Sequence, residues 1–184
     1  MTTTTNPGFM NGWRIAGWGA AAALLLVPLL AMSLGAGVEW SGGDFLFVGV
    51  LLVFLGMTVE LALHFRRGTG RRAGLVLFGL ASFLTVWVNA AVGIVGDEAS
   101  PVNAYYFLGV VGALAVSASF RFAARPMSII AAVLAGGQFA MALVATASMT
   151  VRPIEWAGVA IFALLWSASA LFLGRAARSG QSDA

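Results

Sequence analysis

The chain has no cysteine, no lysine and a single histidine, and only 9% of its residues are charged. Each scarcity excludes something. Without cysteine there are no disulfides, no thiolate nucleophile and no cysteine metal site. Without lysine there is no Schiff base to an aldehyde cofactor. One histidine, His64, rules out bis-histidine haem ligation and a multi-histidine zinc centre. A charged fraction this far below the roughly 25% of soluble domains rules out an ordinary soluble domain. No segment alternates like the strands of an outer-membrane barrel. There is no nucleotide loop, no serine or threonine nucleophile paired with a base, no paired-carboxylate site and no nucleic-acid motif. The residues therefore lean against an enzyme, imply no cofactor and imply no nucleic-acid partner.

What the chain does have is apolar length. Of its 184 residues 60% are hydrophobic, with a mean hydropathy of +0.95. About 20 apolar residues cross the roughly 30 Å hydrocarbon core of a bilayer. Six such runs occur, at about 14–34, 44–65, 73–95, 104–122, 127–149 and 155–174. The expected fold is all-α, a polytopic membrane bundle of six transmembrane helices filling one domain, 1–184. The bilayer is the first partner this implies. The opening MTTTTNPGFMNGWR has no positively charged leader before the apolar run, so it is expected to remain in the mature protein.

The ten basic residues, all arginine, sort by side. Arg14 precedes the first run, Arg66, Arg67, Arg71 and Arg72 separate the second and third, Arg121 and Arg125 the fourth and fifth, and Arg175 and Arg178 follow the sixth. Arg152 alone falls on the other side, with Glu39, Asp44, Asp97, Glu98 and Glu155. The arginine bias of short loops places both termini in the cytoplasm, for a bacterial chain in the inner membrane. The acids opposite could converge on a hard cation, although no loop has metal-loop spacing.

The loops read as helix ends. Ser100 before Pro101 is a candidate cap for the fourth helix, and Ser41 or Asp44 for the second. Trp40, Tyr105, Tyr106 and Trp156 at one boundary and Trp13 at the other fit headgroup-depth anchors. The stretches EWSGGDFLF and EASPVNAYYF both set an acid five residues before a capping Asp or Asn, so two hairpins could be distant copies. Pro28 should kink the first helix. Paired small residues such as Gly136 and Gly137 allow close helix approach.

Polar residues inside apolar runs carry the functional hints, because each is costly in hydrocarbon unless it meets protein, water or a ligand. Glu60 and His64 share a helical face one turn apart, either as a proton- or ion-carrying pair or as a carboxylate reaching the interface beside a cation. Asn89 is expected about two turns below the surface, with Trp87 nearby; it and Gln138 either bind a neighbouring helix or face a ligand.

At EWSGGDFLFVGVLL, VELAL and WVNAAVGIVGDEASPVNAYYF the chain resembles a family of small six-helix bacterial inner-membrane proteins of no established activity. The resemblance covers about residues 13–148 and adds weight to Trp40, Asp44, Glu60, Trp87, Asn89 and Glu98. In helix number and size the chain is also similar to the substrate-binding subunits of energy-coupling-factor vitamin transporters. The expectation is a non-enzymatic protein that acts by binding, as an accessory subunit beside other membrane-protein subunits or as a small-solute or lipid binder. Oligomerisation is left open. Its expected site is a pocket between the second, third and fourth helices with Asn89, Trp87, Asp44, Asp97 and Glu98 at its mouth. The alternative is a small proton-coupled or energy-coupling-factor-like transporter component using Glu60 and His64.

Overall fold

The structure, a computed structural model, describes residues 12–64, 68–97 and 99–182. Arg66, Arg67 and Glu98 therefore lie outside the described residues. Six helices follow in order: α1 (Gly12–Ser33), α2 (Gly42–His64), α3 (Thr69–Ala91), α4 (Val102–Ser119), α5 (Ala124–Ala145) and α6 (Pro153–Ser182). All six are long and apolar enough to cross a membrane. In hydrocarbon the backbone must satisfy its own hydrogen bonds, and the helix does so within one segment. The chain is an all-α, multi-pass membrane protein.

Contacts divide it into two compact units, one ending at Gly56 and one starting at Met57, so the boundary falls inside α2. In the first unit the Trp18 indole lies where a Cβ on Gly56 would stand, and Leu25 approaches Gly49. Pro28 is the one buried residue of α1. The start of α2 is capped as its spacing predicted: Asp44 Oδ2 accepts the Ser41 amide and hydroxyl, both at 2.7 Å, and the Ser41 hydroxyl oxygen accepts the Asp44 amide at 3.3 Å. This reciprocal pair satisfies donors that a helix start otherwise leaves open.

In the second unit α3 packs on α4 and α6, and α5 packs on the same two, closing a ring of four helices. Polar groups join them from inside. Ser169 Oγ donates to the Gly74 carbonyl at 2.9 Å and Ser128 Oγ to that of Ala170 at 2.8 Å. Phe78 and Trp166 meet edge to face at 5.1 Å. Ser82, Thr85, Ser117, Gln138 and Ser169 are buried, while Ile129, Val133, Leu143, Ile161 and Leu164 are exposed. An apolar outside and a partly polar inside is the arrangement that lipid selects, because helix association in lipid relies on packing and hydrogen bonds rather than on hiding apolar surface.

Several boundaries differ from expectation: α5, Ala124–Ala145, starts three residues and ends four residues early, and α4 ends three residues early. α3 starts and ends about four residues early, and α6 runs on to Ser182, carrying Arg175 and Arg178 on the helix itself. Tyr106 is no headgroup anchor: it is buried, and its hydroxyl donates to the Gln138 carbonyl at 3.1 Å, whereas Tyr105 is exposed. Gln138 thus joins α4 through its backbone, and its side-chain Oε1 is buried without a hydrogen-bond partner among the described residues.

The α3–α6 seam depends on the absence of a side chain at Gly74, where a Cβ would stand 2.6 Å from Leu173 Cγ and 3.0 Å from the Leu173 amide nitrogen. Gly74→Val should lower the thermal unfolding midpoint in detergent, corresponding to about 1–3 kcal/mol of overpacking. Gly112→Val, at an exposed glycine with open space around it, should leave the midpoint nearly unchanged.

Candidate functional site

The described segment most unlike a simple helix connection is the turn from α3 to α4. It folds inward: Ile94 and Val95 are buried against Tyr106, Ala142, Val151 and Phe162. A loop so placed brings backbone amides and carbonyls out of reach of water, and each buried one left unpaired costs about 1–3 kcal/mol. Asn103 supplies the partners. Its Oδ1 accepts the amides of Ile94 at 3.1 Å and Val95 at 3.2 Å, and its Nδ2 donates to the carbonyls of Val95 at 3.2 Å and Asp97 at 2.6 Å. Gly93 makes the approach feasible, since with φ +75° a Cβ there would lie 2.6 Å from Asn103 Nδ2 and 2.5 Å from the Asp97 carbonyl oxygen. The side chain of Asn103 therefore does not cap α4, and the likeness of EASPVNAYYF to EWSGGDFLF does not extend to the role of its Asn. Nor does Ser100 cap α4: its hydroxyl lies 4.0 Å from Met149 Sδ.

Asn89 joins the same assembly. Because α3 ends at Ala91, Asn89 lies in its last turn and not two turns below the exit, a correction that follows from the shifted boundary. Its Nδ2 donates to the Asn103 carbonyl at 2.9 Å, and its Oδ1 is buried without a hydrogen-bond partner among the described residues. Asp97 contributes its backbone carbonyl, and its side chain is exposed. Trp87 stacks on Phe83 at 5.7 Å, within its own helix. Asp44 lies in the first unit, engaged in the α2 cap, and Glu98 is outside the described residues. His64 is the exposed last residue of α2, and Glu60, half-buried, has an interaction partner of its own. Among the described residues no three carboxylates or histidines gather as metal ligands.

Beside the inward loop, between the end of α3 and the first turns of α6, lies a cleft of about 350 Å³. Val88, Ile161 and Phe162 wall its apolar part, and Gly96, Arg152 and Glu155 form its polar edge. Glu155 is buried at 8% exposure. It accepts the Arg152 amide at 2.8 Å and Arg152 Nε at 2.6 Å, and Arg152 Nη2 lies 2.6 Å from the same oxygen. The Gly96 amide also points at this carboxylate. A carboxylate at the third position of α6 that binds back to the residue before the helix stabilises the helix start and offsets its positive dipole end. The Arg152 side chain remains 64% exposed. A guanidinium carries five N–H donors, so those not committed to Glu155 remain at the edge of the cleft. In the sequence Arg152 is the one arginine on the side of the acids. That exception, followed three residues on by Glu155, was the signal for the cleft edge.

No protein-family model, curated protein or solved structure matches the chain.

Asn103→Leu removes four side-chain hydrogen bonds while keeping a branched side chain of four heavy atoms, and Asn89→Leu removes one. Hydrogen exchange followed by mass spectrometry should show residues 92–97 opening much faster in Asn103→Leu, with stability falling by about 3 kcal/mol or more, and by only about 1 kcal/mol in Asn89→Leu. Equal exchange in the two variants would show that Asn103 does not hold the loop.

Proposed function

We propose that this is a non-enzymatic membrane protein that acts by binding an amphiphile, held in the cleft between α3 and α6 with its apolar part against Val88, Ile161 and Phe162 and its polar or anionic head at Arg152. The observation that carries this reading is the combination at one site of an apolar wall, an exposed guanidinium and a side open toward lipid, where Val92, Ile154 and Ile161 are exposed. A ligand pocket is typically apolar with a few placed polar groups, and this cleft has that composition. The charge of Arg152 is partly answered by Glu155, which favours a head that accepts hydrogen bonds in a fixed direction over one attracted by charge alone. In this reading the arginine-rich end faces the cytoplasm, in a bacterial inner membrane, and the cleft opens in the outer leaflet.

Gly158 lines the cleft, and a Cβ on it meets nothing within 4 Å. Gly158→Leu should therefore fill the cleft without disturbing the fold. Gentle extraction followed by native mass spectrometry should find a small amphiphile bound to the wild type and retained about tenfold less by Gly158→Leu, a difference of about 1.4 kcal/mol. Identical bound species at identical occupancy in both proteins would overturn the proposal.

A further inference from the structure

The other end of the four-helix unit carries a different surface. Arg71 and Arg72 start α3, Arg121 follows α4, Arg125 starts α5, and Arg175 and Arg178 lie near the end of α6. Short-loop charge bias accounts for arginines on one side of a membrane, but it does not require them to meet. Here the fold brings the segments that carry them together. Arg71 Nη2 donates to the Phe122 carbonyl at 3.4 Å, tying the start of α3 to the turn between α4 and α5. A Cβ on Gly70 would lie 3.6 Å from the Phe172 carbonyl oxygen, so the same start adjoins α6. A Cβ on Gly174 would in turn lie 3.0 Å from Ser128 Oγ and 3.8 Å from Arg178 Nη1, which sets Arg178 beside the first turns of α5.

The turn that presents Arg121 is held in an unfavourable shape. Arg121 and Phe122 have φ of 52° and 54°, left-handed backbone that residues with a side chain adopt at a cost of order 1–3 kcal/mol each. Strain of this kind persists only where the surroundings impose it, and here the Arg71 bond is one such restraint.

The side chains of Arg121, Arg125, Arg175 and Arg178 are exposed, and none has a carboxylate partner among the described residues. Of the described acids in this unit only Glu60 lies toward this end, one turn above the end of α2. The result is a rim of four guanidinium groups, those of Arg121, Arg125, Arg175 and Arg178, with no acid partner among the described residues.

From this we infer that the arginine rim is a docking surface for anionic phospholipid headgroups of the adjoining leaflet, which bridge the ends of α4, α5 and α6. The chemistry fits: a guanidinium offers two parallel N–H donors to a phosphate and stays charged at every physiological pH. The placement fits as well, since the rim stands at the end of membrane-spanning helices, where phosphates are concentrated. An anionic surface attracts a basic residue by an amount equal to roughly a fivefold change in binding for each arginine.

The test uses the full chain in nanodiscs of phosphatidylcholine with and without phosphatidylglycerol, reading lipid retained by native mass spectrometry and thermal unfolding. The wild type should retain phosphatidylglycerol over phosphatidylcholine and unfold at higher temperature when it is present, and added salt should weaken both effects. Arg125→Gln and Arg178→Gln should each lower this preference by roughly fivefold, and the variant with both, together with Arg121→Gln and Arg175→Gln, should abolish it. If the combined variant is not recovered folded, the two single variants decide. Equal retention of the two lipids by the wild type would overturn the inference, as would single variants that keep the full preference. Complete competition by soluble glycerol phosphate would also overturn it, by assigning the rim to a small solute in place of a bilayer.

Discussion

A buried loop in a membrane protein has to settle its backbone hydrogen bonds without water, and in this chain one carboxamide does so for the turn between α3 and α4. Asn103 is buried, and both its oxygen and its nitrogen are used twice, against Ile94, Val95 and Asp97. With those groups paired, Ile94 and Val95 can enter the core beside Tyr106, Val151 and Phe162. With them in the core, Gly96 stands against Glu155, and the floor and edge of the cleft follow. The polar site at this end thus descends from one side chain that satisfies others and binds nothing itself.

The two ends of the four-helix unit differ in how they treat charge. At the cleft end the buried carboxylate of Glu155 and the guanidinium of Arg152 answer each other within three residues, and the pair doubles as a helix start. Glu155 is the enclosed member of the pair, whose carboxylate would be unfavourable without a partner, whereas the Arg152 side chain is 64% exposed. At the opposite end four arginines are exposed without acid partners among the described residues, a state that lipid phosphate can stabilise.

Much of the outline was legible in the chain alone, and the reasons are particular. The apolar runs give helices because hydrocarbon leaves the backbone no other way to pair, and Ser41 with Asp44 gives a cap because their spacing is that of a reciprocal box. Other readings went astray for equally physical reasons. Apolar length overshot the end of α3, because Val92, Ile94 and Val95 are as hydrophobic as the helix before them, although Gly93 and Gly96 take left-handed φ there and break it. That error placed Asn89 too deep. Position at a helix boundary suggests an anchor for Tyr106 as for Tyr105, yet one helical position separates the exposed Tyr105 from the buried Tyr106. Asn103 drew attention only as a cap, since a side chain that binds residues eight and nine positions back leaves no periodic trace.

The sequence by itself determined that the chain is all-helical, that it crosses a membrane, and that most of its basic groups and most of its acidic groups fall at opposite ends of its helices, because apolar run length and the order of charges along the chain are local properties. Tertiary structure decided which of those residues meet. It joined Asn89 to Asn103, closed Glu155 on Arg152 at the edge of a cleft, stacked Trp87 on Phe83 of its own helix, and set arginines of three helix ends at one end of the unit. Those pairings depend on helix rotation, on the exact residue at which α3 stops, and on contacts between segments far apart in the chain.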